Sequence, residues 1–275
     1  MAKEETEEAE RRARSWIAEL DRNGGGDSLE AADRMDLLLD ILRGEKAKAS
    51  QALPWAQRVA DIRRALDPGS APCAKSLQSL AVLLFRSGRL LESAPLLEQA
   101  LAMQEKAADA RDSDTASMLA DLGPMLGSLG DWSGSRRVYE RAAEIYEKST
   151  GWKPFQSRVL LFNLGDLLEH MGDFEAVREL NQRLLRAASE GSGLSPLVRV
   201  RALSRIVEMD HLLGEDDRAR RDYQQMLTLW DGIRDRPEIL SKVGAIELAN
   251  TWARLATGAS IIGDLSTARE DYLHA

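Results

Sequence analysis

The chain has 275 residues, 44% of them apolar and 30% charged, with a formal net charge of −8. An acidic chain lacks the basic face that phosphate binding needs, which argues against general nucleic-acid binding. Cys73 is the only cysteine, so an intrachain disulfide and a thiolate zinc site are both excluded, and a reducing compartment is the simple reading.

The N-terminal stretch "MAKEETEEAERRARSW" is charged throughout and is no secretory signal. No apolar run approaches the ~20 residues that a membrane helix needs, so no membrane partner and a cytoplasmic location are expected. Ala, Leu, Arg and Glu are plentiful while Val and Ile are scarce, a bias toward helix over strand.

Residues 1–22 form a predicted charged helix whose early glutamates and later arginines suit the helix dipole. The run "NGGGDS" at 23–28 is predicted as a flexible, Gly-rich joint. Residues 29–72 read as a divergent helical repeat. In it, "DRMDLLLDILRG" ends a first helix at Gly44, and Pro54 favours a break in the second half.

From 73 to 275 the chain repeats. Gly88, Gly130, Gly172 and Gly214 follow one another at a spacing of 42, and Gly263 comes 49 later. A fixed period of this length marks stacked supersecondary units. Eleven and eight residues before these glycines stand Leu77 and Leu80, Leu119 and Leu122, Leu161 and Leu164, Leu203 and Ile206, then Trp252 and Leu255. That i, i+3 pairing is one face of a first helix. Each glycine ends this helix in a left-handed cap.

Five, nine and twelve residues after the glycines come the inner positions of a second helix, such as Ser93, Leu97 and Ala100, or Ala219, Tyr223 and Met226. Seven residues before them stand mostly small residues: Ala81, Gly123, Gly165, Val207 and Ala256. A small residue there lets the second helix approach closely, so a larger side chain at Gly165 should overpack. Five units result, the last incomplete. Pro124 falls inside a first helix, which should be kinked or poorly formed. Asp216 stands where the other units have an apolar residue, and seven extra residues around "DGIRDRPEILSK" suggest a longer connection.

This pattern resembles the tetratricopeptide repeat. The 42-residue period and "ESAPLLEQALAMQEK" at 92–106 look like the kinesin-light-chain type of that family. The resemblance implies an all-α fold, a right-handed superhelical solenoid of antiparallel helix pairs, whose first helices line a concave groove that binds peptides. It assigns the groove-facing slots. Those of the third unit include Asn163, Asp166, Glu169 and His170; those of the fourth include Arg201, Ser204, Arg205, Glu208 and His211; those of the fifth include Arg254. Asn163, Arg201 and Arg205 resemble part of a carboxylate clamp, in which arginines present guanidinium forks to a peptide's terminal carboxylate. Ala120 and Pro124 stand where that clamp has its other members.

Glu208 and His211 form one Glu-x-x-His pair, half of the two that a di-metal helical site needs, so no metal is expected. No phosphate loop or nucleophile elbow is present. Cys73, before the first clear helix, reads as an inert small thiol. The expectation is therefore a non-catalytic interaction scaffold without cofactor, whose partner is a protein or peptide gripped by Asn163, Asp166, His170, Arg201, Arg205, Glu208, His211 and Arg254. Two alternatives stand beside it: a sensor of a peptide or small molecule, and an interaction module of a larger multidomain enzyme such as a protease or a nucleotide-binding signalling protein. The sequence stops at Ala275 inside a second helix, with the apolar stripe Leu265, Ala268, Tyr272 and Leu273 uncovered. A terminal repeat needs a polar outer face, so a longer parent or self-association at this edge is expected.

Overall fold

Twelve helices make up the described part of the chain, and no strand occurs there. The computed structural model describes residues 2–43, 49–150, 155–188, 196–234, 236, 245–264 and 267–268. The helices are α1 (Ala2–Arg22), α2 (Leu29–Arg43), α3 (Ala49–Leu66), α4 (Ala71–Arg86), α5 (Leu90–Gln104), α6 (Asp112–Ser128), α7 (Trp132–Thr150), α8 (Phe155–His170), α9 (Phe174–Ala187), α10 (Pro196–Leu212), α11 (Asp216–Arg234) and α12 (Ala245–Ile262). They divide into two compact units, Met1–Ser149 and Thr150–Ala275.

The repeating glycines explain the hairpins. Gly88, Gly130, Gly172, Gly214 and Gly263 all have φ between 74° and 87°. That left-handed conformation is free of steric cost for glycine alone. At the third of them the Asp173 amide donates back to the Leu168 carbonyl at 2.9 Å, the six-to-one bond that closes a helix C-terminus. The same aspartate then caps the next helix, its side chain accepting from the Ala176 amide at 3.1 Å. Asp131 and Asp264 cap in the same way, accepting from Gly134 at 2.8 Å and Thr267 at 3.1 Å. A Gly-Asp dipeptide thus ends one helix and starts another.

The apolar slots are the core. Leu77, Leu119, Leu161 and Leu203 are buried, as are Leu80, Leu122, Leu164, Ile206 and Leu255. So are Ser93, Ser135, Val177, Ala219 and Ala268 on the second helices. Tyr139 and Tyr223 are core residues, 3% and 1% exposed. In the first unit α1 lays Ala13 and Ile17 into the same cluster as Met35, Leu38 and Leu39 of α2. The buried Arg63 of α3 pairs with Asp33 at 2.8 Å and Asp36 at 2.7 Å on α2.

Four expectations change. Pro54 and Pro124 lie inside continuous helices, so there is no break at the first and no poorly formed helix around the second. A proline forfeits one backbone bond. Burial of Ala52, Ala56 and Val59 around Pro54, and of Leu119, Leu122 and Met125 around Pro124, outweighs it. The glycine-rich run 23–28 is a hydrogen-bonded turn rather than a loose joint. Gly25 donates to the Leu20 carbonyl at 2.9 Å, and Arg58 of α3 donates to the Gly26 carbonyl at 2.9 Å. Cys73 lies within the first turn of α4, where its amide donates to the Ser70 hydroxyl at 3.1 Å. Its thiol is buried, and burial pushes its pKa up, as expected of an inert thiol.

The fourth concerns the small slot. A Cβ added at Gly123 would lie 2.3 Å from the Tyr139 ring, so close approach is real there. A Cβ added at Gly165 would meet only the Arg205 Nη2, at 3.9 Å. Gly165 sits beside empty space and does not hold two helices together. Gly44, Leu265, Tyr272, Leu273 and most of the long connection before α12 lie outside the described residues, as do most of the readings that rest on them.

Candidate functional site

In the second unit the first helices α8, α10 and α12 carry all eight predicted site residues. Arg205 stands at their centre, half-buried on α10. It reaches across to α8, pairing with Asp166 at 3.4 Å and closely with Glu169, and along its own helix to Glu208 at 3.5 Å. Burial pushes the Glu169 carboxyl up from its ordinary value, while the Arg205 charge opposes the rise. Arg205 is thus the balancing cation of an acidic cluster, not a free side chain facing solvent as its slot implied. Arg205→Ala is expected to lower stability by ~1–3 kcal/mol, the scale of a lost charged hydrogen bond with its acceptor left desolvated. Chemical denaturation measures this directly, and an unchanged midpoint would refute it.

Arg201, Arg205 and Arg254 converge on a cavity of about 70 Å³. Its other walls are Leu161, Phe162 and Gly165 of α8 with Asn181 and Leu184 of α9. Arg201 and Arg254 also border a neighbouring crevice of about 390 Å³ between α10 and α12, lined by Leu197, Val198, Val200, Glu247, Asn250 and Thr251. Among the described residues neither Arg201 nor Arg254 makes a hydrogen bond or an ion pair. Burial holds the Arg254 guanidinium below its ordinary pKa; Arg201 and Arg205 add to that, and Glu208 and Asp166 oppose it. Two cations without acceptors beside a cavity of mixed polar and apolar lining can take an anion.

The remaining candidates fall elsewhere. Asn163 is half-buried and outside the cavity lining, so the Asn163–Arg201–Arg205 grouping is not assembled around it. His170 is exposed. His211 Nδ1 lies 2.8 Å from the Asp216 carboxylate, which draws the ring into the turn before α11. Ser204, assigned to the groove face, is 2% exposed. No cluster of three metal-ligating side chains occurs among the described residues. No described helix is long and apolar enough to cross a membrane. The wall residues Gly165, Asn181 and Leu184 escaped sequence reading. The available signal was Asn181 itself, a polar residue in the slot held elsewhere by Leu97, Tyr139 and Tyr223.

Comparison with known proteins bears on the fold. Residues 70–148 match the tetratricopeptide repeat family. No curated protein matches. Among solved structures, BtubC (BKLC) from P. vanneervenii superposes with a TM-score of 0.63 at 16% identity, covering 84% of this chain and 93% of its own. A putative kinesin light chain from Podosopora anserina with nearly identical TPR-like repeats gives 0.59 at 16% identity, over 74% of this chain and 99% of its own. A Rap protein complexed with competence and sporulation factor gives 0.53 at 14% identity, over 89% of this chain and 62% of its own. At such identities the likeness is one of fold. Residues 70–148 therefore match the tetratricopeptide repeat family, and the chain shares an all-helical repeat fold with structural neighbours that include a putative kinesin light chain.

Proposed function

We propose that this chain is a non-catalytic scaffold that binds a peptide segment of a partner protein on the α8–α10–α12 face. The tetratricopeptide fold supports a protein-interaction scaffold, and a structural neighbour has been solved with competence and sporulation factor bound. The observation that carries the finer reading is the pair Arg201 and Arg254. Arg254, half-buried among like charges and with no acceptor of its own, gains most from an incoming carboxylate, and the exposed Arg201 stands beside it. Arg205 contributes to the field, but its three carboxylates leave it little to offer.

The test is a crosslinking pull-down with the full chain as bait. Arg201→Ala and Arg254→Ala are expected to lower recovery of the partner about tenfold or more, at least about 1.4 kcal/mol of affinity. Arg220→Ala serves as the control, since Arg220 sits exposed on α11 beside Asp217 at 3.1 Å. Equal recovery by all three variants would overturn the assignment of this face.

A further inference from the structure

Where α9, α10 and α11 meet, carboxylates outnumber cations. Asp210, near the C-terminal end of α10, is fully buried. Its Oδ1 accepts from Arg178 of α9 at 3.1 Å and lies 3.7 Å from the Arg218 Nε of α11. Both arginines also pair with Glu215, the residue before α11, at 2.9 Å and 3.2 Å. The half-buried Asp222 of α11 stands in hydrogen-bonding range of the Asp210 carboxyl. Three carboxyl groups therefore share two guanidinium groups. The other oxygen of Asp210, Oδ2, is buried with no hydrogen-bond partner among the described residues. His211, the next residue, is exposed and turned toward Asp216.

A buried carboxylate oxygen without a donor is costly, and two adjacent carboxylates repel. A single proton removes both costs, because the acid O–H of one group then donates to the other, as in a paired-carboxyl site. Arg178 and Arg218 hold the Glu215 carboxyl below its ordinary pKa, so the proton goes to Asp210 and Asp222. From there α11 reaches the binding face. Tyr223 follows Asp222 and lies in the same buried cluster as Leu255 and Ala259 of α12. A Cβ added at Gly258 of α12 would lie 2.6 Å from the Tyr223 ring and 3.1 Å from the Met226 Cε. Arg254 stands one turn before Gly258, so a shift of α11 is passed to the turn that carries it.

We propose that the Asp210–Asp222 pair is a proton-operated clasp that fixes α11 against the end of α10 and so regulates the anion site at Arg201 and Arg254. With one proton on the pair the clasp is closed, and both guanidinium groups line one cavity. With the proton lost, α11 eases away from α10 and carries Arg254 away from Arg201. This regulation rests on the reading of the α8–α10–α12 face as a binding surface. Proton and anion favour the same arrangement, so each strengthens the binding of the other.

The test uses formate as the anion, since it stays ionised across the range. It is titrated into the full chain at pH ~5.5 and ~7.5, below and above the Asp210 titration at about 6, and followed through the arginine Nε–Hε signals. Binding is expected to be about fivefold tighter or more at the lower pH. The carboxyl carbons of Asp210 and Asp222 are titrated alongside, and formate is expected to move their shared midpoint upward. Asp210→Asn and Asp222→Asn each place an amide donor where the proton stood. Both variants are expected to bind formate at either pH as tightly as the parent does at the lower one.

A parent affinity that ignores pH, or an equal change in parent and both variants, would overturn the clasp and leave the binding face standing. Carboxyl signals that titrate only in the ordinary carboxylate range would overturn the shared proton. Absence of formate binding at both pH values would overturn the anion site, and its regulation with it.

Discussion

Leu164→Ala is expected to lower the stability of the second unit by ~2–5 kcal/mol, the range for a buried leucine truncated to alanine. Leu164 is 2% exposed on α8, one residue from a glycine that behaves in the opposite way. A methyl group added at Gly165 would meet nothing closer than the Arg205 guanidinium at 3.9 Å, so Gly165→Ala is expected to be close to neutral or mildly stabilising. The helix interior favours alanine over glycine by about 1 kcal/mol. Gly123→Ala reverses this again. Its Cβ would stand 2.3 Å from the ring of Tyr139, and overpacking of that kind costs typically 1–3 kcal/mol. Thermal melts of the three variants give the order. Equal losses at Gly123 and Gly165 would show that the second and third repeats pack alike, and that the cavity is filled in solution.

The contrast between those two glycines shows where sequence reasoning reaches and where it stops. The hairpins were legible because a positive φ leaves a chemical mark: glycine recurs at 88, 130, 172, 214 and 263, and each lies at φ between 74° and 87°. The core was legible because a period of 3.6 leaves Leu in fixed slots. The prolines misled. A single missing hydrogen bond is a local cost, and what offsets it is the burial of neighbours on the same helices, such as Ala56 beside Pro54 and Leu122 beside Pro124, which depends on packing the local sequence does not display.

Arg205 was assigned to the groove face as a gripping cation, and the structure pairs it with Asp166, Glu169 and Glu208. Its slot tells direction; the carboxylates that occupy it, Asp166 and Glu169, lie on a different helix. The cavity was least legible of all, since it is an absence shared between two slots, and the polar Asn181 in one of them does not disclose it alone. Only the pairing of Gly165 with Asn181, against Gly123 with Tyr139, exposes it.

Asp210 carries the other large effect. Its side chain, at the C-terminal end of α10, is fully buried, 3.1 Å from Arg178 of α9 and 3.7 Å from Arg218 of α11. Burial pushes its pKa up to about 6; the neighbouring Asp222 adds to the rise, while Arg178 and Arg218 oppose it. The sign of the linkage follows from that direction. Between the ordinary carboxylate range near 3.8 and about 6, the folded state holds a proton that the unfolded chain has released. The contribution of Asp210 to stability is therefore complete below pH ~4 and is lost as pH rises through about 6.

Asp210→Asn keeps the shape and removes the titration. The difference in unfolding free energy between the parent and this variant is expected to vary across pH 4–7 and to be flat outside that window. Asp210→Ala at pH 7 is expected to cost ~3 kcal/mol, the low end for breaking a buried ion pair, because Arg178 keeps Glu215 at 2.9 Å. Urea denaturation at a series of pH values measures both. A parent-minus-asparagine difference that stays constant from pH 4 to 7 would show that Asp210 is ionised throughout, and that Arg178 and Arg218 outweigh its burial.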